Sequence, residues 1–260
     1  MFSVGYVVED SETERPVTFV FNGGPGASSA YLHIGAVGPT RVDLPPDGSL
    51  PTMPPRLVTN ESSWLPFTDL VFVDPVGTGF SRVIESDKPE EDKGKGKDKG
   101  GADPLDPKEY FGTKRDLESL CELMSRWLST RGRWGSPVVI AGESYGGYRV
   151  GRLVRMLQET AGIGLNGAIL ISPALEITPL SPTDYDVVAW IDTLPTMAAA
   201  AAHHGRSRAF SAGTPLAEAA ERATAYYEAA AMLAGLDLGT TSDRAEKEIE
   251  LAEKAAKVTR

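Results

Sequence analysis

Cysteine, histidine and long apolar runs are what this 260-residue sequence has least of. Cys121 stands alone, so no intrachain disulfide can form and zinc sites built on cysteine pairs are excluded. His33, His203 and His204 are the only imidazoles, which leaves few candidates for a general base. Apolar residues nowhere run for the ~18 positions a membrane-spanning helix needs. The longest stretches, Val187 to Ile191 and Met197 to Ala202, fall far short, so no contact with a membrane is expected. Positive charge is also in deficit. With 26 Lys and Arg against 36 Asp and Glu the formal charge is -10, which repels phosphate backbones and argues against nucleic acid as a partner. The first residues, Met1 to Val8, hold neither a basic stretch nor a small-residue cleavage site. The expectation is a cytosolic protein, or a secreted or periplasmic one whose leader lies upstream of these residues.

What is present is an ordinary globular composition, 41% hydrophobic and 24% charged, with 27 Gly and 19 Pro. Val17–Phe21, Leu70–Val73 and Val138–Ala141 are short, nearly continuous runs of β-branched or aromatic residues, the mark of strands buried on both faces of a parallel sheet. Five prolines between Leu44 and Pro55 predict an irregular loop. Residues 85–105 mix acidic and basic side chains around a Lys-Gly repeat and read as a flexible, solvated loop. Asp106-Pro107 then predicts a helix start, and Leu117, Leu120, Cys121, Met124, Trp127 and Leu128 fall on one helical stripe. Cys121 belongs to that stripe and reads as a buried structural thiol. Val150, Leu153, Val154 and Leu157 mark a second helix, and Gly167–Ile171 a further strand. Alternating strand and helix predicts an α/β fold. From about Asp184 the chain turns Ala- and Glu-rich, with helices expected near Tyr185–Asp192, Pro195–His204, Pro215–Ala234 and Asp243–Val258. The expected division is an α/β core over 1–178 and a helical lid or insertion over 179–260.

The sharpest chemical feature is Gly142-Glu143-Ser144-Tyr145-Gly146-Gly147, a G-x-S-x-G pattern between a strand and an amphipathic helix. Small residues on either side allow a tight corner that thrusts the serine hydroxyl beyond the strand. The next backbone N–H, at the helix start, then faces any oxyanion that forms. Directly after Val17–Phe21 comes Asn22-Gly23-Gly24-Pro25-Gly26-Ala27-Ser28-Ser29, which presents backbone N–H groups. It lacks the lysine of a phosphate-binding loop, and with a nucleophile elbow nearby it makes sense as the other half of an oxyanion hole.

These two blocks, with Asp74-Pro-Val-Gly-Thr-Gly-Phe-Ser81 between them, resemble the serine carboxypeptidase family, over roughly residues 5 to 205. Ala27, where disulfide-rich members carry cysteine, resembles the bacterial branch. The resemblance implies an α/β-hydrolase fold and removal of C-terminal residues from peptides, with no cofactor or metal. It implies Ser144 as the acylated nucleophile and the N–H groups of Gly24 and Tyr145 as the oxyanion hole. Asn22 and Glu143 would bind the substrate's terminal carboxylate. A second family glutamate in that network is replaced by Ala36, which opens an alternative: an esterase or acyltransferase of the same fold acting on a small acyl substrate.

The resemblance also implies an Asp and a His downstream of Ser144 on later strands. His203 and His204, like Asp184, Asp186 and Asp192, sit in the helical stretch, while His33 and Asp74 precede the serine and suit structural roles. The expectation is therefore a fragment whose triad Asp and His lie beyond Arg260, inactive alone and with an unpaired sheet edge. If the chain were complete, a non-catalytic peptide-binding protein would be the reading.

Overall fold

The computed structural model describes residues 1–9, 14–47, 49–84, 107–176, 187–211 and 213–233. The charged stretch 85–105 and the helix expected over Asp243–Val258 lie outside them. The chain divides into two compact units, Met1–Leu175 and Glu176–Arg260.

In the first unit the strands are β1 (Ser3–Tyr6), β2 (Val17–Phe21), β3 (Thr40–Val42), β4 (Leu57–Thr59), β5 (Asp69–Val73), β6 (Val138–Glu143) and β7 (Leu165–Ile171). Five of them form one sheet in the order β1-β5-β2-β6-β7. β5, β2, β6 and β7 run parallel, and β1 closes one edge antiparallel to β5. β2 and β5 are buried at every position, which is why they lack polar alternation. A one-turn helix, α1 (Ala30–Leu32), follows β2, and alternate strand residues feed two cores. Val17, Phe19, Phe21, Val71 and Val73 face helices α2 (Thr113–Arg131) and α3 (Tyr145–Glu159), meeting Leu120, Met124, Leu128, Leu153 and Leu157. Val20, Leu70 and Phe72 face the other way, onto Leu32, Val37 and Trp64.

Three features depart from the sequence expectation. β3 and β4 pair into a separate two-stranded ribbon bracketing the proline-rich loop, each too short to show a period. Pro107 opens a 3-10 turn, Pro107–Phe111, and the helix begins only at Thr113, because Gly112 interrupts in an extended conformation. In the second unit α4 (Val187–His203) runs unbroken through Pro195, where two helices are expected, and is followed by α5 (Leu216–Leu233). Ala202, Ala219 and Ala223 are buried there. β7 is the sheet's edge strand, and Ile169 and Leu170 stay exposed on it.

Asp69 ties together the N-terminal ends of the parallel strands. The carboxylate is fully buried and accepts from Arg15 Nε at 2.9 Å, Arg133 Nη1 at 2.7 Å and the Val8 N–H at 3.2 Å. Burial pushes the carboxyl up, but the Arg133 and Arg15 guanidinium groups and the Val8 amide outweigh it and hold it below the usual carboxylate range. Asp69→Asn leaves two arginines facing a neutral amide, and urea denaturation should show a loss of about 3 kcal/mol. A depressed folded-state value means the stabilisation is complete above about pH 4 and disappears as pH falls through that value. Parent and variant should therefore converge in stability in acid; a difference that persists there would exclude the ionic origin.

Candidate active site

The opposite, C-terminal ends of β2, β5 and β6 carry the three sequence blocks, and their loops converge there. Between β6 and α3 the backbone turns at Ser144 with φ 56° and ψ −121°. A serine in this region is strained, and the surroundings enforce it. The Ser144 N–H donates to the Ile171 carbonyl at 3.0 Å, and its own carbonyl accepts from Gly147 and Ala174, both at 2.9 Å. The corner is tight enough that a Cβ on Gly142 would lie 2.1 Å from the Gly146 oxygen, and one on Gly146 would lie 2.5 Å from the Phe21 oxygen. Ser144 is half-buried, and its hydroxyl has no hydrogen-bond partner among the described residues.

The Asn22–Ser29 loop packs directly against this corner. A Cβ on Gly23 would stand 2.6 Å from the Tyr145 nitrogen and 2.9 Å from the Ser144 Cβ. Gly24 follows at φ 107°, a conformation open to glycine. Sequence reading singles out Gly24 and Tyr145 and misses Gly23, although Gly23 is the residue pressed onto the elbow. Nothing in a Gly-Gly doublet says which member makes the close approach.

Asn22 and Glu143, 121 positions apart in the chain, meet here: Asn22 Nδ2 donates to Glu143 Oε2 at 3.2 Å. The amide is orientated by the Leu32 N–H, which donates to Asn22 Oδ1 at 2.9 Å. Asp74, at the end of β5, braces the loop from behind. Its two carboxylate oxygens accept the N–H groups of Ser29, at 2.8 Å, and Phe80, at 3.1 Å, joining the first block to the second. Ser29 Oγ also donates to the Val73 carbonyl. Beside the loop lies a cleft of about 290 Å³, lined by Pro25, Val76, Tyr110, Phe111, Tyr145 and Arg149 among others.

Within the first unit, the one histidine is engaged elsewhere. His33 Nε2 pairs with the Tyr6 hydroxyl at 2.7 Å, and the ring stacks on Phe72 at 4.6 Å. Burial holds its imidazole below the usual value, against the pull of Asp74. His203 and His204 belong to the second unit, edge to face with one another at 4.9 Å. Asp184 and Asp186 lie outside the described residues, and Asp192 falls within α4. Cys121 is buried, its thiol pushed up to about 11 by burial and by the nearby Glu118 and Glu122 charges, so it is a packing residue. Among the described residues no cluster of three metal-binding side chains occurs, and no helix is long and apolar enough to cross a membrane.

The model of the serine carboxypeptidase family matches residues 1–191. The chain belongs to that family. Among curated relatives, the pheromone-processing carboxypeptidase KEX1 of Saccharomyces cerevisiae is 34% identical over 140 residues, 53% of this chain and 16% of that protein. The Yarrowia lipolytica KEX1 is 31% identical over 186 residues, 68% of this chain and 25% of that protein. The crystal structure of the S. cerevisiae Kex1 prohormone-processing carboxypeptidase superposes with a TM-score of 0.51 at 19% identity, covering 96% of this chain and 46% of that one. The first unit thus has the α/β-hydrolase fold of the serine carboxypeptidases. This chain spans less than half the length of the relatives and of the solved structure it matches.

Proposed function

We propose that this chain carries the nucleophile and the anion-binding half of a serine-type carboxypeptidase. The observation that carries the reading is the strained Ser144 at the end of β6, with the Gly23–Gly24 loop packed on the amide that follows it. Ser144 Oγ attacks the carbonyl of the last peptide bond, and the N–H groups of Gly24 and Tyr145 receive the charge that develops on its oxygen. Collapse of that intermediate expels the C-terminal residue and leaves an acyl-serine, which water hydrolyses. The base that takes the Ser144 proton, and the carboxylate that orients it, we place outside the described residues.

Asn22 and Glu143 supply selectivity for the chain terminus. Asn22 Nδ2 keeps one N–H for the substrate carboxylate after serving Glu143. A carboxyl group at Glu143 binds a second carboxylate when the two share a proton, since like charges in contact do not both stay ionised. A second reading, esterase or acyltransferase, is favoured by Ala36, exposed and without an acidic group at that place.

The experiment compares a blocked dipeptide bearing a free C-terminal carboxylate with its amide, using the full-length gene product that carries this chain. Carboxypeptidase action predicts a strong preference for the free acid, approaching about 10⁴-fold, the scale on which a site built to pair a polar group rejects an analogue that leaves it unpaired. Equal rates would favour the esterase or acyltransferase reading. A fluorophosphonate probe should label Ser144, and absence of that adduct would remove the acyl-enzyme altogether.

A further inference from the structure

Arg149, in the second turn of α3, is only 3% exposed although it carries a permanent charge. Its Nε donates to Asp116 Oδ2 at 2.7 Å, and Asp116, in the first turn of α2, is itself buried. Removing both charges from water costs several kcal/mol per ion, which their attraction only partly returns. The pair is therefore a poor device for stability alone, and what else the guanidinium touches becomes the informative question.

It touches both halves of the anion-binding site. Nη1 donates to the Asn22 carbonyl at 3.0 Å, and the guanidinium carbon lies 4.9 Å from the centre of the Tyr145 ring. The Asn22 carbonyl belongs to the peptide unit that leads into Gly23 and Gly24. Because that unit is planar, fixing its oxygen fixes the direction of the Gly23 N–H and the entry of the glycine pair. Tyr145 supplies the other amide. We propose that Arg149, held by Asp116, is a positioning residue that sets the spacing between the two oxyanion donors. The proposal rests on the carboxypeptidase reading only for its kinetic consequence. Its structural content, that Arg149 fixes the Asn22–Gly24 backbone, stands independently. A charge-assisted hydrogen bond suits the task, since a loop with two adjacent glycines has little stiffness of its own.

Two amides report on the loop without any turnover. Ala27 N–H donates to the Gly23 carbonyl at 3.2 Å, and Leu32 N–H to Asn22 Oδ1 at 2.9 Å. In Arg149→Gln, hydrogen exchange at Ala27 and Leu32 should accelerate about 10-fold or more while the amides of β2 and β5 keep parental rates, the signature of local opening. In the full-length protein kcat should fall about 10²-fold with KM moved less than ~3-fold, as expected when donors shift by about 1 Å. Arg149→Lys preserves the charge facing Asp116, but one ammonium cannot reproduce the fork that reaches both partners. It should therefore show the same exchange change, and it decides the matter if the glutamine variant fails to fold. Parental exchange at Ala27 and Leu32 in a folded variant, or full kcat in Arg149→Lys, would overturn the proposal. If the parent shows no peptide turnover at all, the carboxypeptidase reading fails, and the exchange measurement still decides for or against the positioning role.

Discussion

Gly23→Ala should cut kcat by roughly 10²–10³-fold in a protein that still folds. The added Cβ would lie 2.6 Å from the Tyr145 nitrogen, 2.7 Å from the Glu143 oxygen and 2.9 Å from the Ser144 Cβ. None of the three can retreat. Glu143 ends a strand paired with Ile171, Ser144 is held on both sides by hydrogen bonds, and Tyr145 starts α3. The loop must therefore lift off the elbow, carrying Gly24 with it. Donors displaced by about 1 Å, or lost from the oxyanion, cost roughly 10²–10³ in kcat. Overpacking of this kind also destabilises by about 1–3 kcal/mol, small enough for a folded product. Gly35→Ala is the matched control: a Cβ there meets nothing within 4 Å, so both stability and turnover should stay parental. Parental kcat in Gly23→Ala would mean that the glycine loop does not serve the oxyanion.

Legibility of this site in the sequence followed the range of the interactions that build it. β2, β5 and β6 announce themselves because burial on both faces removes polar residues from the run. The elbow is legible because its glycines are dictated by neighbours within a few residues. Asp74 reads as structural from its block, and it braces two loops. Contacts between distant segments leave no local trace. Arg149 and Asp116, on two different helices, are buried against each other, a pairing that no local pattern announces. The meeting of Asn22 with Glu143 came from family resemblance and not from spacing. β3 and β4, three residues each, carry too little pattern to distinguish strand from loop. Gly112 and Pro195 mislead in opposite senses: the first breaks an expected helix, and the second fails to break one.

Ser144→Gly should give a protein that is more stable than its parent and catalytically dead. At φ 56° and ψ −121° a residue with a Cβ carries backbone strain on the order of 1–3 kcal/mol. Glycine escapes that strain but loses about 0.5–1 kcal/mol through the greater freedom of its unfolded chain. The balance favours glycine by about 1 kcal/mol, a rise in Tm of roughly 2–4 °C for a chain of this size. Ser144→Ala separates the two effects. Alanine keeps the Cβ and the strain and loses a hydroxyl without a hydrogen-bond partner among the described residues, so its stability should stay within ~0.5 kcal/mol of the parent. Both variants remove the nucleophile, and both should lose at least ~10⁴-fold in kcat and all fluorophosphonate labelling. Calorimetry beside a turnover assay reads the two axes separately. If glycine proves no more stable than alanine, the corner is unstrained; if alanine retains turnover, the attacking oxygen belongs to another residue. The expected pattern would mean that the fold accepts a conformational cost at position 144, because an unstrained corner would not lift the hydroxyl towards the amides of Gly24 and Tyr145, which we propose receive the oxyanion of the tetrahedral intermediate.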